Sequence, residues 1–272
     1  MKHITIKDIA RHLSLSVSTV SRALINDKNI RQETKERENL QTMERFMVDG
    51  IIICLCSYKE NLDQYIRLQQ AEMPMVFYDR IPYGMNVSQV IVDDYIKAFF
   101  LVEHLIREGY RHIVHLQGPD DVYNSVERAR GYKDALVKFN IPFDKDRMLK
   151  AGLTFKDGAN AADMLIEKGV SFDAIFAFTD TLAIGAMNRL RDLGKKIPEE
   201  IAIASFSGTV LSTIVYPQLT TVEPPLQQMG KVVAELIIEK IKEPLSPNRS
   251  IVLDAEIKLR ASSKKEKDSK GK

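Results

Sequence analysis

The stretch 4–27 reads ITIKDIARHLSLSVSTVSRALIND. Ile6, Ile9, Ala10 and Leu13 fall at i, i+3, i+4 and i+7, the spacing of one apolar face of an α-helix. Thr5 stands where an N-cap belongs, and Asp8 three residues on can reach back as a shortened capping box. Ser14-Leu15-Ser16 breaks the pattern. Ser16 then caps a second short helix over 17–24, which buries Val20, Ala23 and Leu24. Two short helices joined by a tight turn make a helix-turn-helix, whose second helix enters the major groove of DNA. Val17, Ser18 and Arg22 lie opposite the buried face. Arginine can donate two hydrogen bonds to guanine O6 and N7, serine serves either base type, and valine packs on a thymine methyl. Thr5, Ser16, Thr19 and Ser21 carry short hydroxyls suited to phosphate oxygens. Taken alone, the pattern also describes an ordinary helical hairpin with a solvated polar face. A third helix starts near 31–34, with charged residues running to Arg37.

Charge supports the DNA reading. The chain of 272 residues has a net charge of +2, but residues 1–37 carry eight Lys/Arg against four Asp/Glu, so the remainder is slightly acidic. A basic head on an acidic body points to a nucleic-acid-binding module joined to something else. Hydrophobic residues make up 44% and charged residues 28%, which is globular composition and excludes wholesale disorder. At 272 residues the chain has room for about two domains. No apolar run approaches the length of a membrane span, and the start MKHITIKDIARHLSLS has no secretory pattern, so the expected location is the cytoplasm. Cys54 and Cys56 sit two apart in a strand-like run and point to one face, which predicts reduced thiols rather than a disulfide.

From residue 46 onward, short apolar runs alternate with amphipathic stretches. Strands are expected at 48–54, 75–79, 88–93, 112–117, 173–178 and 201–206, and helices at 61–71, 95–108, 128–139, 157–168, 181–193 and 225–242. That alternation means βαβ units and buried parallel sheet, an α/β fold. Glu108-Gly109 and Leu193-Gly194 supply helix-ending glycines. The tail SSKKEKDSKGK is charged and low in complexity.

Residue order now adds a resemblance. TIKDIARHLSLSVSTVSRALIN closely resembles the headpiece of the lactose-repressor (LacI/GalR) family of bacterial transcription regulators. VDGIII, VDDYIKAFFLVEHLIREGYRHIVHLQGP, ERARGYKDAL, AIFAFTDTLAIGAMNRLRDLGKKIPEEIAIASF, PQLTTVEPPLQQMG and IKLRAS are similar to that family's effector-binding core, in the right order. The resemblance implies two α/β lobes like those of periplasmic sugar-binding proteins, linked by crossing strands around a ligand cleft. It implies a headpiece over 1–37 and a core over 38–262, followed by a disordered tail over 263–272. The first lobe would comprise about 38–107 and 224–247, the second about 108–223. Asp94 matches an acidic ligand contact, and Arg128 the arginine that grips a sugar hydroxyl or carboxylate. Thr179, Asp180 and Ser207 fall at further contact positions. Two departures stand out: Thr179-Asp180 replaces a usual Asn-Asp pair, and Ser207 replaces an aspartate after an aromatic. The implied partners are a double-stranded DNA operator, a small polar effector and a second copy of the chain, with no cofactor.

A larger departure lies between Arg37 and Val48. The third headpiece helix breaks off at TKER, and ENLQTMERFMVDGIII matches a point about 60 residues further along the family pattern, given ordinary element lengths. The end of that helix, a hinge helix, and the strand, helix and strand that open the first lobe have no counterpart. Loss of those elements is expected to leave a bare sheet edge and to uncover Ile51 and Ile53.

The leading reading is a DNA-binding regulator, acting as a repressor, whose operator affinity is set by a small ligand. The alternative is a small-molecule binding protein without DNA function. An enzyme is disfavoured, since GxGxxG after a strand, GxxxxGK[ST], HExxH and GxSxG are all absent. His3, His12, His104, His112 and His115 are scattered and suggest no metal or catalytic cluster.

Overall fold

The computed structural model describes residues 31–265. The helix-turn-helix residues Thr5, Ser16, Val17, Ser18, Thr19, Ser21 and Arg22 lie outside them, as does the end of the tail. In chain order the helices are α1 (Gln32–Arg45), α2 (Leu62–Gln70), α3 (Asp94–Arg107), α4 (Tyr123–Lys138), α5 (Phe155–Glu167), α6 (Asp180–Asp192), α7 (Leu211–Ile214) and α8 (Leu226–Lys242). The strands are β1 (Ile51–Ile53), β2 (Met75–Tyr78), β3 (Ser88–Val92), β4 (Ile113–Gln117), β5 (Met148–Lys150), β6 (Ala174–Ala177), β7 (Ala202–Phe206), β8 (Thr220–Glu223), β9 (Ser250–Leu253) and β10 (Glu256–Lys258).

Two sheets form. The first lobe holds a parallel sheet ordered β1-β2-β3-β9, and the second a sheet ordered β10-β8-β7-β6-β4-β5, parallel except for the β8–β10 pair. Period-two alternation decides which face of the first sheet each residue covers. Ile51, Ile53, Met75 and Phe77 join Leu40 of α1 and Tyr65 and Leu68 of α2 in one cluster, while Val76, Val90 and Val92 pack with Val233 and Ile237 of α8 on the other face. In the second lobe, α3 and α4 cover one face and α5 and α6 the other. Both helix pairs pack closely because glycines sit at the crossings. A Cβ on Gly131 of α4 would lie 2.3 Å from the Tyr95 carbonyl oxygen, and one on Gly185 of α6 would lie 2.0 Å from that of Phe155.

Several expectations change. The third helix does not break off at Arg37; α1 runs unbroken from Gln32 to Arg45, so the expected headpiece–core boundary falls inside it. Ile51 and Ile53 are not uncovered either, with 3% and 6% of their surface exposed, because α1 lies over them. It is Ile52, on the opposite face, that stands 46% exposed at the free edge of β1. Helix 94–107, read with the first lobe, packs on α4 and the second-lobe core, which moves the first crossing from 107/108 to 93/94. Ser263, placed in the tail, is buried and hydrogen-bonds Thr220 and His104 at 2.7 and 3.0 Å. Strands β5, β8, β9 and β10 were not anticipated. Cys54 and Cys56 are free thiols of intermediate exposure.

Candidate functional site: the interlobe cleft

The chain passes between the lobes three times: at Asp93, between β3 and α3; at Pro224-Pro225, between β8 and α8; and at Asp254-Ala255, between β9 and β10. Parallel strands of both sheets end at this waist, the position where α/β folds place ligands. A cleft of about 200 Å³ opens there, lined by Tyr78 at the end of β2, Asp79 and Arg80 after it, Asn124 and Arg128 of α4, Phe178 and Thr179 after β6, and Ser207 after β7.

Arg128 is the centre of the cleft wall. Helix α4 starts at Tyr123, five residues before the expected 128, which puts Arg128 in its second turn rather than at its start. Its Nε donates to Asp94 Oδ1 at 2.8 Å and its Nη1 to the Phe178 carbonyl oxygen at 2.7 Å. The guanidinium carbon sits 3.6 Å from the Phe206 ring centroid and 4.7 Å from that of Phe178. These two ring contacts, with the two hydrogen bonds, hold the planar fork in one orientation. Nη2 makes no hydrogen bond among the described residues, so donors remain for a ligand.

Asp94 does not line the cleft. It is 2% exposed, at the first turn of α3, and meets the cleft only through Arg128. The helix N-cap is Asp93, whose carboxylate accepts from Ile96 N at 2.8 Å. Asp94 Oδ2 is buried without a partner. Burial pushes the Asp94 carboxyl up to about 6, with Arg128 opposing the rise and Asp79 adding to it.

Asp180 is a correction to the expected contacts. It is fully buried, and both oxygens are taken by protein donors. Oδ1 accepts from the Ser205 and Thr221 hydroxyls, each at 2.7 Å, and Oδ2 from the Thr209 amide and hydroxyl at 2.6 and 2.8 Å. The carboxylate fastens the start of α6 to the ends of β7 and β8 and has no face toward a ligand. Thr179, the N-cap of α6, and Ser207, held at φ 131°, both line the cleft.

Sequence reasoning missed Asn124 and Asp79. Asn124 donates to Asp79 Oδ1 at 2.9 Å, while its own Oδ1 is buried and unpartnered in the cleft wall. The available signal was position: Asp79 directly follows a parallel strand at its carboxyl end. The cleft thus offers a forked cation, an amide acceptor and two hydroxyls beside aromatic rings, which suits a small molecule with several hydroxyls or a carboxylate. Among the described residues no group of His, Cys, Asp or Glu is arranged to hold a metal ion.

Two lobes closed around such a cleft, behind a helix-turn-helix sequence, define a ligand-responsive DNA-binding regulator. Comparison with known proteins agrees. The profile described as bacterial regulatory proteins, lacI family, matches residues 5–39, and that of a periplasmic binding protein-like domain matches residues 102–263. The HTH-type transcriptional repressor PurR of Vibrio atlanticus is 30% identical over 230 residues, covering 85% of this chain and 69% of that protein. The ribose operon repressor of Halalkalibacterium halodurans is 30% identical over 245 residues, covering 89% and 71%. The crystal structure of the transcription regulator CcpA of Lactococcus lactis superposes with a TM-score of 0.78 at 28% identity, covering 95% of this chain and 92% of that one. The chain belongs to the LacI family of bacterial transcriptional regulators. It is a DNA-binding regulator with a small-molecule effector, not an enzyme. No described helix is long and apolar enough to cross a membrane.

Proposed function

We propose that this regulator is a cytoplasmic repressor whose interlobe cleft takes a sugar or sugar derivative, gripped by Arg128. The observation that carries the reading is the buried Asp94–Arg128–Phe178 arrangement in the cleft wall, which leaves Nη2 without a hydrogen bond among the described residues, in the same wall as the unpartnered Asn124 Oδ1. Thr179 and Ser207 add hydroxyl contacts, and Asp94 contributes by holding Arg128 rather than by touching the ligand. The naming of a relative as a ribose operon repressor favours the sugar class. Headpiece residues Val17, Ser18 and Arg22 read bases, and Thr5, Ser16, Thr19 and Ser21 hold phosphates. The head extends from residue 1 into α1, and the core from α1 to about 263. The working unit is a homodimer on a palindromic operator.

A thermal-shift screen of sugars, sugar phosphates and purines tests the cleft. A sugar is expected to raise the melting temperature, and Arg128→Ala to weaken that ligand at least tenfold; unchanged affinity would remove Arg128 from the site. On the DNA side, anisotropy titrations against a selected operator are expected to show affinity falling steeply with salt. Arg22→Ala should cost about 1–3 kcal/mol of discrimination at one base position. Equal wild-type affinity for all sequences would sink base readout by this helix.

A further inference from the structure

The profile of the DNA-binding headpiece runs to residue 39, while α1 begins at Gln32 and lies on the first lobe through Leu40. One helix therefore belongs to both parts. Its first turns are fastened to the loop that follows β1. Asn61, 4% exposed and held in the left-handed conformation at φ 58°, spends its whole amide on α1. Its Oδ1 accepts from Arg37 Nε at 3.0 Å, and its Nδ2 donates to the Glu33 carbonyl oxygen and to Glu36 Oε2, each at 2.8 Å. Glu36 Oε1 accepts from the Cys56 amide at 2.9 Å, at the other end of the same loop. Ser57 Oγ accepts from the Lys59 and Glu60 amides at 3.1 and 3.3 Å and stiffens the turn between them.

The same loop reaches the second lobe. Tyr58 donates its amide to the Asp121 carbonyl oxygen at 2.8 Å and its hydroxyl to the Asp120 carbonyl oxygen at 2.9 Å. Its ring packs at 4.7 Å on Tyr83, which packs at 5.2 Å on Tyr123 at the start of α4, the helix that carries Arg128. Five residues, 57–61, thus span from a second-lobe contact beside the cleft to the root of the headpiece.

We infer that Asn61 is a positioning residue that clamps the headpiece to the rim of the cleft, so that movement of the second lobe against Tyr58 is passed to the DNA-binding helices through α1. The inference rests on the headpiece reading above but not on the identity of the effector. A charged pair at the surface would make a loose tie; an amide with all its hydrogen bonds on one helix, buried at a backbone position few residues adopt, makes a rigid one.

The chain has no tryptophan, so His12→Trp, outside the apolar spacing of Ile6, Ile9, Ala10 and Leu13 in the sequence, gives a single reporter in the headpiece. Time-resolved anisotropy should show it turning with the whole particle. Asn61→Gly keeps the left-handed backbone but removes the clamp, and should add a fast component. The pair Asn61→Asp with Glu36→Gln restores the bond to residue 36 in reversed direction and keeps the Arg37 bond, though not that to the Glu33 carbonyl oxygen, and should suppress that component in part. In a second arm, Tyr58→Cys with Asp121→Cys, in a Cys54→Ser/Cys56→Ser background, locks the lobes by a disulfide between chain segments already in backbone contact. Oxidation should shift affinity for a selected operator by about fivefold or more, and the shift should vanish in Asn61→Gly. A fast component already present with Asn61 intact, or equal operator shifts with and without its side chain, would overturn the inference. A chain that binds no DNA would instead defeat the headpiece reading, and the anisotropy arm would still decide the clamp.

Discussion

Asp94 and His115 are both buried ionisable groups that feel the charge of Arg128, and their environments push them in opposite directions. Burial pushes the Asp94 carboxyl up to about 6. The His115 imidazole, stacked on Phe176 with Nδ1 donating to the Phe176 carbonyl oxygen at 2.9 Å, is pushed down to about 4, chiefly by burial. For Asp94 the native state holds a proton that the unfolded chain has lost, so its contribution is intact below about pH 4 and lost as pH rises through about 6. For His115 the unfolded chain takes up a proton that the native state refuses, so its contribution is intact above about pH 6.5 and lost as pH falls through about 4. Over pH 4–6.5 the two slopes oppose each other. Urea unfolding across this window should therefore show Asp94→Asn gaining stability relative to wild type as pH rises, and His115→Phe losing it. Parallel difference curves would refute the opposed assignment. Of the cleft, Arg128, Thr179 and Ser207 were legible by resemblance. Asp180 was misjudged because a carboxylate next to a contact position looks the same in sequence whether its oxygens face ligand or, as here, three hydroxyls and an amide.

At the scale of elements, α1 alters the expectation most. Its charged sequence, QETKERENLQTMER, has one strongly apolar residue at its middle, Leu40, buried against Ile51 and Ile53. Because α1 covers the sheet, Leu40→Ala should cost about 2–5 kcal/mol of stability, the range for a buried leucine. A loss near zero in denaturant titration would mean that the sheet face is open and α1 belongs to the headpiece alone. Apart from β5, the helices and strands between 48 and 206 were legible because their periodicity is strong and each of those strands has a helix on at least one side. The outlying strands were not. β5 and β10 have three residues each and half-exposed faces, and Ser250–Leu253 is only partly buried, so none carries the continuous apolar run of a central parallel strand. Pairing with β4, β3 and β8, distant in sequence, creates β5, β9 and β10 respectively.

For the molecule as a whole, the first sheet ends at β1 without a further strand among the described residues, and Ile52 stands out from that edge. Ile238 and Ile241 of α8 add exposed apolar surface, and a Cβ on neighbouring Gly50 would lie 3.0 Å from Ile237 Cδ1, which fixes α8 over this part of the sheet. Bare edges with apolar faces invite pairing between chains. Sedimentation velocity should show species beyond the proposed dimer that grow with concentration, and Ile52→Lys, a charge of the kind that blunts natural edges, should remove them without affecting smaller species. Persistence of those species would place the contact elsewhere. The three crossings carry a different consequence, for synthesis. Residues 94–223 supply all of the second-lobe sheet except β10, so that lobe can largely form as a nascent unit. The first lobe cannot. Its β1, β2 and β3 leave the ribosome early, yet the strand that closes their far edge and the helix that covers one face come only with residues 226–253. During translation, a three-stranded sheet with two open edges must wait for about 160 residues to be made before β9 closes it, on the order of ten to thirty seconds at ordinary elongation rates. The growing chain is thus most dependent on chaperones in the half that it makes first.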